Sequence, residues 1–130
     1  METKTFHQSL DINARPEEVF ETFLDERKHA KLIKATAKIE PKEGGKFSLW
    51  DGDISGVTVK IEKGKRILQV WRSSDWEKGH ISTVEFEFYP AKNGTKLVLV
   101  HKGVPADQYE KIEKGWKQFY FHQLEEAFNK

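Results

Sequence analysis

The side chains able to do chemistry in this chain are five histidines, a scatter of serines and one acidic loop. The histidines are His7, His29, His80, His101 and His122, and the chain has no cysteine. No two histidines stand four apart on a helix and no thiol joins them, so a zinc site is not encoded. Adjoining strands could bring His7 beside His101, but a surface or hydrogen-bonded pair is favoured there over catalysis. Ser55, Ser73, Ser74 and Ser82 lack the strand-turn-helix context of a nucleophile elbow, and no triad is recognisable.

The acidic loop is Asp51-Gly52-Asp53-Ile54-Ser55-Gly56, with Glu62 at its twelfth place. Oxygen ligands fall where a helix–loop–helix calcium site needs them. That site must join two helices, however, and both flanks here alternate with period two. Its eighth place is Thr58, where a branched apolar residue belongs. A β-hairpin turn is the better account, so no metal is expected. Glycines fall at turns and none cradles a phosphate. Gly115, inside a helical pattern, is the exception. Glycine there costs about 1 kcal/mol relative to alanine. Close approach of a strand or of Trp71 is the favoured reason, a gap left for a ligand the other. Gly115→Leu is accordingly expected to disrupt packing.

The elements that must position these residues follow from pattern. The 130 residues make one domain, residues 1–130, with 22 Lys and Arg against 21 Asp and Glu and a net charge of +1. That balance argues against nucleic-acid binding through bulk charge. Met1 to Asp11 lack the apolar core of a signal peptide and no run is long enough to span a membrane, so a cytoplasmic protein with no membrane partner is expected.

Phe6, Leu10 and Ile12 share one side of a first strand, with His7, Ser9 and Asp11 opposite. Pro16 opens a short helix whose first turn carries Glu17 and Glu18, and a second spans Glu26 to Ile33. A meander follows. Thr36 to Glu40 is a strand, Phe47 and Leu49 alternate with polar neighbours up to Trp50, and Asp51-Gly52 makes a two-residue hairpin turn. Val57, Val59 and Ile61 line one face of the next strand. Ile67 to Arg72 is dense in apolar residues and partly covered on both sides, Val84, Phe86 and Phe88 alternate with Glu85 and Glu87, and Leu97 to Val100 form a central strand. Asp107 with Glu110 reads as a capping box, with Pro105 just outside. From there Ile112, Trp116, Phe119, Tyr120, Leu124, Ala127 and Phe128 repeat at helical spacing. The polar side of this helix, Glu110, Glu113, Lys114 and Lys117, reads as solvated.

The order is therefore one strand, two short helices, six antiparallel strands and a long terminal helix. It is the helix-grip arrangement of START and birch-pollen-allergen-like domains: α+β, a curved antiparallel sheet of about seven strands with the last helix packed across its concave face. Four stretches sharpen the likeness: Trp50 to Gly56, Trp71 to His80, Gly103-Val104-Pro105, and Gly115 to Phe121. Together they resemble the C-terminal domain of the activators of the heat-shock protein 90 ATPase, from about Phe6 to Phe128.

The resemblance implies co-chaperone work: binding heat-shock protein 90 and favouring the closed state able to hydrolyse ATP. The ATP chemistry belongs to the chaperone, so no catalytic residue and no cofactor are expected. The separate N-terminal domain of two-domain members has no counterpart in the matched stretch. A lone module forgoes the gain of linkage, about a hundredfold or more in affinity.

The fold also implies a cavity between sheet and helix. Trp71, Phe86, Phe88, Trp116, Phe119 and Tyr120 are the residues expected to line it, and its occupant would be a small hydrophobic ligand. Trp76 either folds back as a plug, which burial favours, or stands out as an interface anchor. With Asp51 and His80 it forms the candidate partner-binding set.

Overall fold

The computed structural model describes residues 2–129. Strand β1 (Thr3–Ile12) is followed by helices α1 (Pro16–Leu24) and α2 (Glu26–Ile33). Six more strands come next: β2 (Ala37–Ile39), β3 (Lys46–Leu49), β4 (Ile54–Glu62), β5 (Arg66–Ser73), β6 (Ser82–Ala91) and β7 (Gly94–Pro105). All pair antiparallel in one seven-stranded sheet of order β1-β7-β6-β5-β4-β3-β2. Strands β1 and β2 are thus opposite edges, and the two short helices carry the chain from one to the other. Pro16 opens α1, and the Asp25 side chain accepts from the Lys28 amide at 2.9 Å to cap α2.

The sheet's inner face follows the alternation. Ile67 and Trp71, Val84, Phe86 and Phe88, and Leu97 and Leu99 are all buried. Strand β4 departs from the expected pattern. It slips register between Thr58 and Lys60, so that Thr58 opposes Gln69 and Lys60 opposes Leu68. This β-bulge reverses which parity points inward. Ile54 and Thr58 are buried before it and Ile61 packs on the core after it, while Val59 is 48% exposed. Val57 and Val59 therefore do not share an inner face with Ile61. Gly56 lies ahead of the bulge, where a Cβ would fall 1.9 Å from the Val70 carbonyl oxygen and 2.6 Å from Phe47. Only glycine fits.

The β3–β4 connection also differs from a two-residue hairpin. Leu49 pairs with Ile54, leaving four residues between, and Trp50, Asp51 and Gly52 all have positive φ. Thr36 stabilises the loop: its hydroxyl donates to the Asp51 carboxylate at 3.0 Å and accepts from the Asp51 amide at 2.8 Å.

The terminal helix begins with a 3-10 turn (Ala106–Gln108), continues as α3 (Tyr109–Trp116), widens into a π turn (Lys117–Phe121) and ends as α4 (His122–Phe128). The added 3-10 turn places Asp107 outside the α-helical start, and no side chain caps α3, so the capping box does not form. The π turn shifts the apolar stripe by one position. Tyr120, Phe121 and Leu124 are buried, whereas Phe119 is 39% exposed and Ala127 is exposed.

Candidate functional site

Two residues one turn apart on the terminal helix, Trp116 and Tyr120, each reach a buried histidine. The Trp116 indole N–H donates to Nδ1 of His101 at 3.0 Å. An indole can only donate, so the proton of His101 resides on Nε2, which donates to the Ser82 hydroxyl at 2.8 Å. Ser82 in turn donates to the Trp71 carbonyl at 3.0 Å. This line of bonds ties the helix to β7, β6 and β5.

The second line runs the other way. The Phe23 carbonyl can only accept, so Nδ1 of His29 carries the proton and donates at 3.0 Å. The bare Nε2 accepts the Tyr120 hydroxyl at 2.7 Å. The helix is thereby joined to α1 and α2. Both imidazoles are neutral, because burial disfavours the charged form. It lowers the pKa of His29 to about 4, opposed in part by the Phe23 hydrogen bond, and that of His101 to about 3. Burial likewise raises the Tyr120 phenol well above its ordinary range.

Beside these lines, between the helix and the ends of β3, β4 and β5, lies a cleft of about 450 Å³. Its walls are aromatic. Trp50 meets Phe119 edge-on with centroids 5.4 Å apart, Trp116 leans on Tyr120 at 4.7 Å, and Trp71 lies 5.9 Å from Trp116. Asp53, Ser73 and Lys111 form its polar end. There the Ser73 hydroxyl donates to Asp75, and Lys111 Nζ reaches the other oxygen of that carboxylate at 2.8 Å. The pair holds Asp75 below, and Lys111 above, its usual pKa. Two depressions are larger, at about 830 Å³ along the sheet by β3–β5 and about 730 Å³ among α1, α2 and α4; both mix lysines and glutamates with apolar side chains, and both are more open than the cleft.

Gly115 faces the cleft. A Cβ there would meet nothing nearer than Phe119 Cδ2 at 3.9 Å, so neither a strand nor Trp71 approaches it closely. The expectation of close packing at this position is overturned: the space beside the glycine is the cleft itself.

Of the residues expected around a cavity, Trp71, Trp116, Phe119 and Tyr120 stand around this one. Phe86 and Phe88 do not. They lie beneath α1, Phe86 with its centroid 4.3 Å from that of Phe23 and Phe88 5.7 Å from that of Phe20. Nor do His7 and His101 meet. His7 pairs with Val100 and faces solvent, while His101 pairs with Phe6 and is buried.

Trp76 is 5% exposed, folded against Trp71 at 5.5 Å and His80 at 5.3 Å, so it plugs the sheet rather than offering itself to a partner. The Arg72 guanidinium keeps it there by donating to the carbonyls of Trp76, Glu77 and His80. His80 Nε2 donates to the Gly103 carbonyl at 2.8 Å, and Asp51 is exposed on the β3–β4 loop. That loop belongs to a hairpin with strands on both flanks, not to a helix pair.

Sequence reasoning missed Trp50, Asp53, Ile54, Ser73, Lys111 and Ile112 as cleft residues and the partners of His29 and His101. The inward aromatics Trp71, Trp116 and Tyr120 and the helical glycine at 115 were the signals pointing at the cleft.

Comparison with known proteins places this architecture. Residues 13–129 match the family model described as Activator of Hsp90 ATPase homolog 1-like protein. An Activator of 90 kDa heat shock protein ATPase homolog from Dictyostelium discoideum is 33% identical over 98% of this chain and 33% of its own length. Homolog 1 from Homo sapiens is 31% identical over 87% of this chain and 33% of its own. The chain thus spans about a third of the length of these curated relatives. The crystal structure of an HSP90 activator from Plasmodium falciparum superposes with a TM-score of 0.91 and 32% identity, covering 95% of this chain and 96% of that one.

Proposed function

The chain belongs to the family of activator of Hsp90 ATPase homolog 1-like proteins, and from that membership we propose that it is a co-chaperone-like binding module. It docks on the heat-shock protein 90 chaperone and raises ATP turnover by favouring the closed state. A docking protein shifts such an equilibrium only by its difference in affinity for the two states; moving it from 1:99 to 99:1 takes about 10⁴-fold. The nucleotide chemistry remains the chaperone's, so this chain needs no catalytic residue. Cytoplasmic residence follows from such a partner. No helix among the described residues is long and apolar enough to cross a membrane.

The observation that carries this reading is the likeness to the Plasmodium falciparum activator along nearly the whole of both chains. Asp51 and His80, on the β3–β4 and β5–β6 loops, are the proposed contacts. Titrating the purified protein into heat-shock protein 90 tests it: a saturable rise in ATP turnover, abolished by a chaperone-specific ATPase inhibitor, is expected. Absence of both binding and a rate change removes the reading.

A second reading is favoured by the open space at Gly115: the cleft binds a small hydrophobic ligand. Its volume lies within the roughly 300–1,000 Å³ of ligand pockets. Native mass spectrometry of freshly purified protein is expected to show a copurifying small molecule, and consistently bare protein counts against it.

A further inference from the structure

We propose that the cleft selects an organic cation: a flat apolar body among the aromatic rings, with a substituted ammonium group at the Asp53 end. The inference rests on the ligand reading of the cleft and adds the charge of the occupant.

Three observations converge on it. The walls carry five aromatic rings, three of them the indoles of Trp50, Trp71 and Trp116. Ring faces are the negative pole of the aromatic quadrupole, and indole attracts cations best. The polar end is biased the same way. Lys111 is its one cation among the described lining residues, and that ammonium is already committed to Asp75 at 2.8 Å. Asp53 is exposed and accepts one side-chain hydrogen bond among the described residues, from the Ser74 hydroxyl at 2.9 Å; Lys111 feels its charge but makes its direct contact with Asp75. An arriving carboxylate would meet Asp53 and Asp75 with no free counter-charge, whereas an arriving ammonium would find Asp53 without a direct ion pair among the described residues.

The third observation is Gly115. The helix bears an interior glycine where a Cβ would touch only Phe119 Cδ2, at 3.9 Å, and any larger residue would project into the cleft. A ligand body lying along that face of the helix accounts for the vacancy; internal packing does not.

The test uses the intact chain and two probes, 2-(naphthalen-2-yl)ethyl-trimethylammonium and its neutral isostere with carbon in place of nitrogen. Affinities are measured by isothermal titration. The cation is expected to bind about ten-fold more tightly or better, from the indole faces and the exposed Asp53 carboxylate acting together. Asp53→Asn should lower that preference by a few-fold while leaving the neutral probe unaffected. Gly115→Leu, shown folded by circular dichroism, should abolish both. Should that variant fail to fold, Trp50→Ala serves instead and should weaken the cation more than the isostere. Equal affinities, or tighter binding of the neutral probe, overturn the cation assignment and leave the ligand reading standing. Binding that survives Gly115→Leu or Trp50→Ala unchanged lies elsewhere and overturns it too. No binding of either probe sinks both.

Discussion

The indole N–H of Trp116 meets Nδ1 of His101 at 3.0 Å, and that contact fixes the direction of every proton behind it, through Ser82 to the Trp71 carbonyl. One turn along, Tyr120 imposes the opposite tautomer on His29. The helix is fastened to the body by buried, charge-free polar bonds as well as by apolar contact.

Replacing Trp116 by Phe keeps most of the ring volume and removes the donor. His101 Nδ1 is then a buried acceptor without a partner, which costs about 1–3 kcal/mol. Urea denaturation should show this as a lower midpoint with unchanged slope. A midpoint equal to wild type would mean the bond contributes nothing.

Stability should fall on acidification from about pH 6.5. Both histidines have folded pKa values, about 4 for His29 and about 3 for His101, below the ordinary 6.5. Between these limits the unfolded chain binds more protons than the folded one, so acid favours unfolding. The loss approaches roughly 1.4 kcal/mol per pH unit for each histidine. Denaturation curves at pH 7.5, 6 and 5 check it, and His101→Gln should flatten the slope. A wild-type stability that stays level down to pH 5 would refute the assignment.

Gly115→Ala should stabilise the protein by about 1 kcal/mol, because a better helix former enters empty space. Thermal unfolding measures it. A lower melting temperature would mean that the backbone there is under a constraint the geometry does not reveal.

Arg72→Ala should release the β5–β6 loop, since three carbonyls lose their shared donor. Trp76 then gains access to water. Tryptophan emission should shift to the red and become quenchable by acrylamide. Unaltered emission would show that apolar packing alone retains the plug.

Much of the fold was legible because it is written in local periodicity. The two short helices begin where expected, at Pro16 and Glu26, and the alternation of Val84, Phe86 and Phe88 fixed a strand face without reference to anything distant. What was not legible depends on partners remote in sequence. Nothing near Val59 announces a bulge; it exists because β4 must match β5 on both sides of one extra residue. Nothing near Phe119 announces a π turn, which exchanges its burial for that of Phe121. The cleft followed the same rule. Trp71, Trp116 and Tyr120 were recognisable as large aromatics facing inward, whereas Phe86 and Phe88, equally aromatic, are covered by α1. Only the tertiary arrangement separates a ring lining space from a ring filling it.

The order of the strands also governs how the molecule can be assembled. Strands β2 through β7 are neighbours in sequence and in space, so each can zip onto the one before it across a short loop. Strand β1 has no such neighbour: its first pairing, Thr3 with Pro105, waits for the last strand to be made. That closure spans nearly the whole chain, and its entropy must be met before any contact rewards it. Of the two edge strands it is β1 that is added late, and a nascent chain would carry its apolar face unpartnered until then.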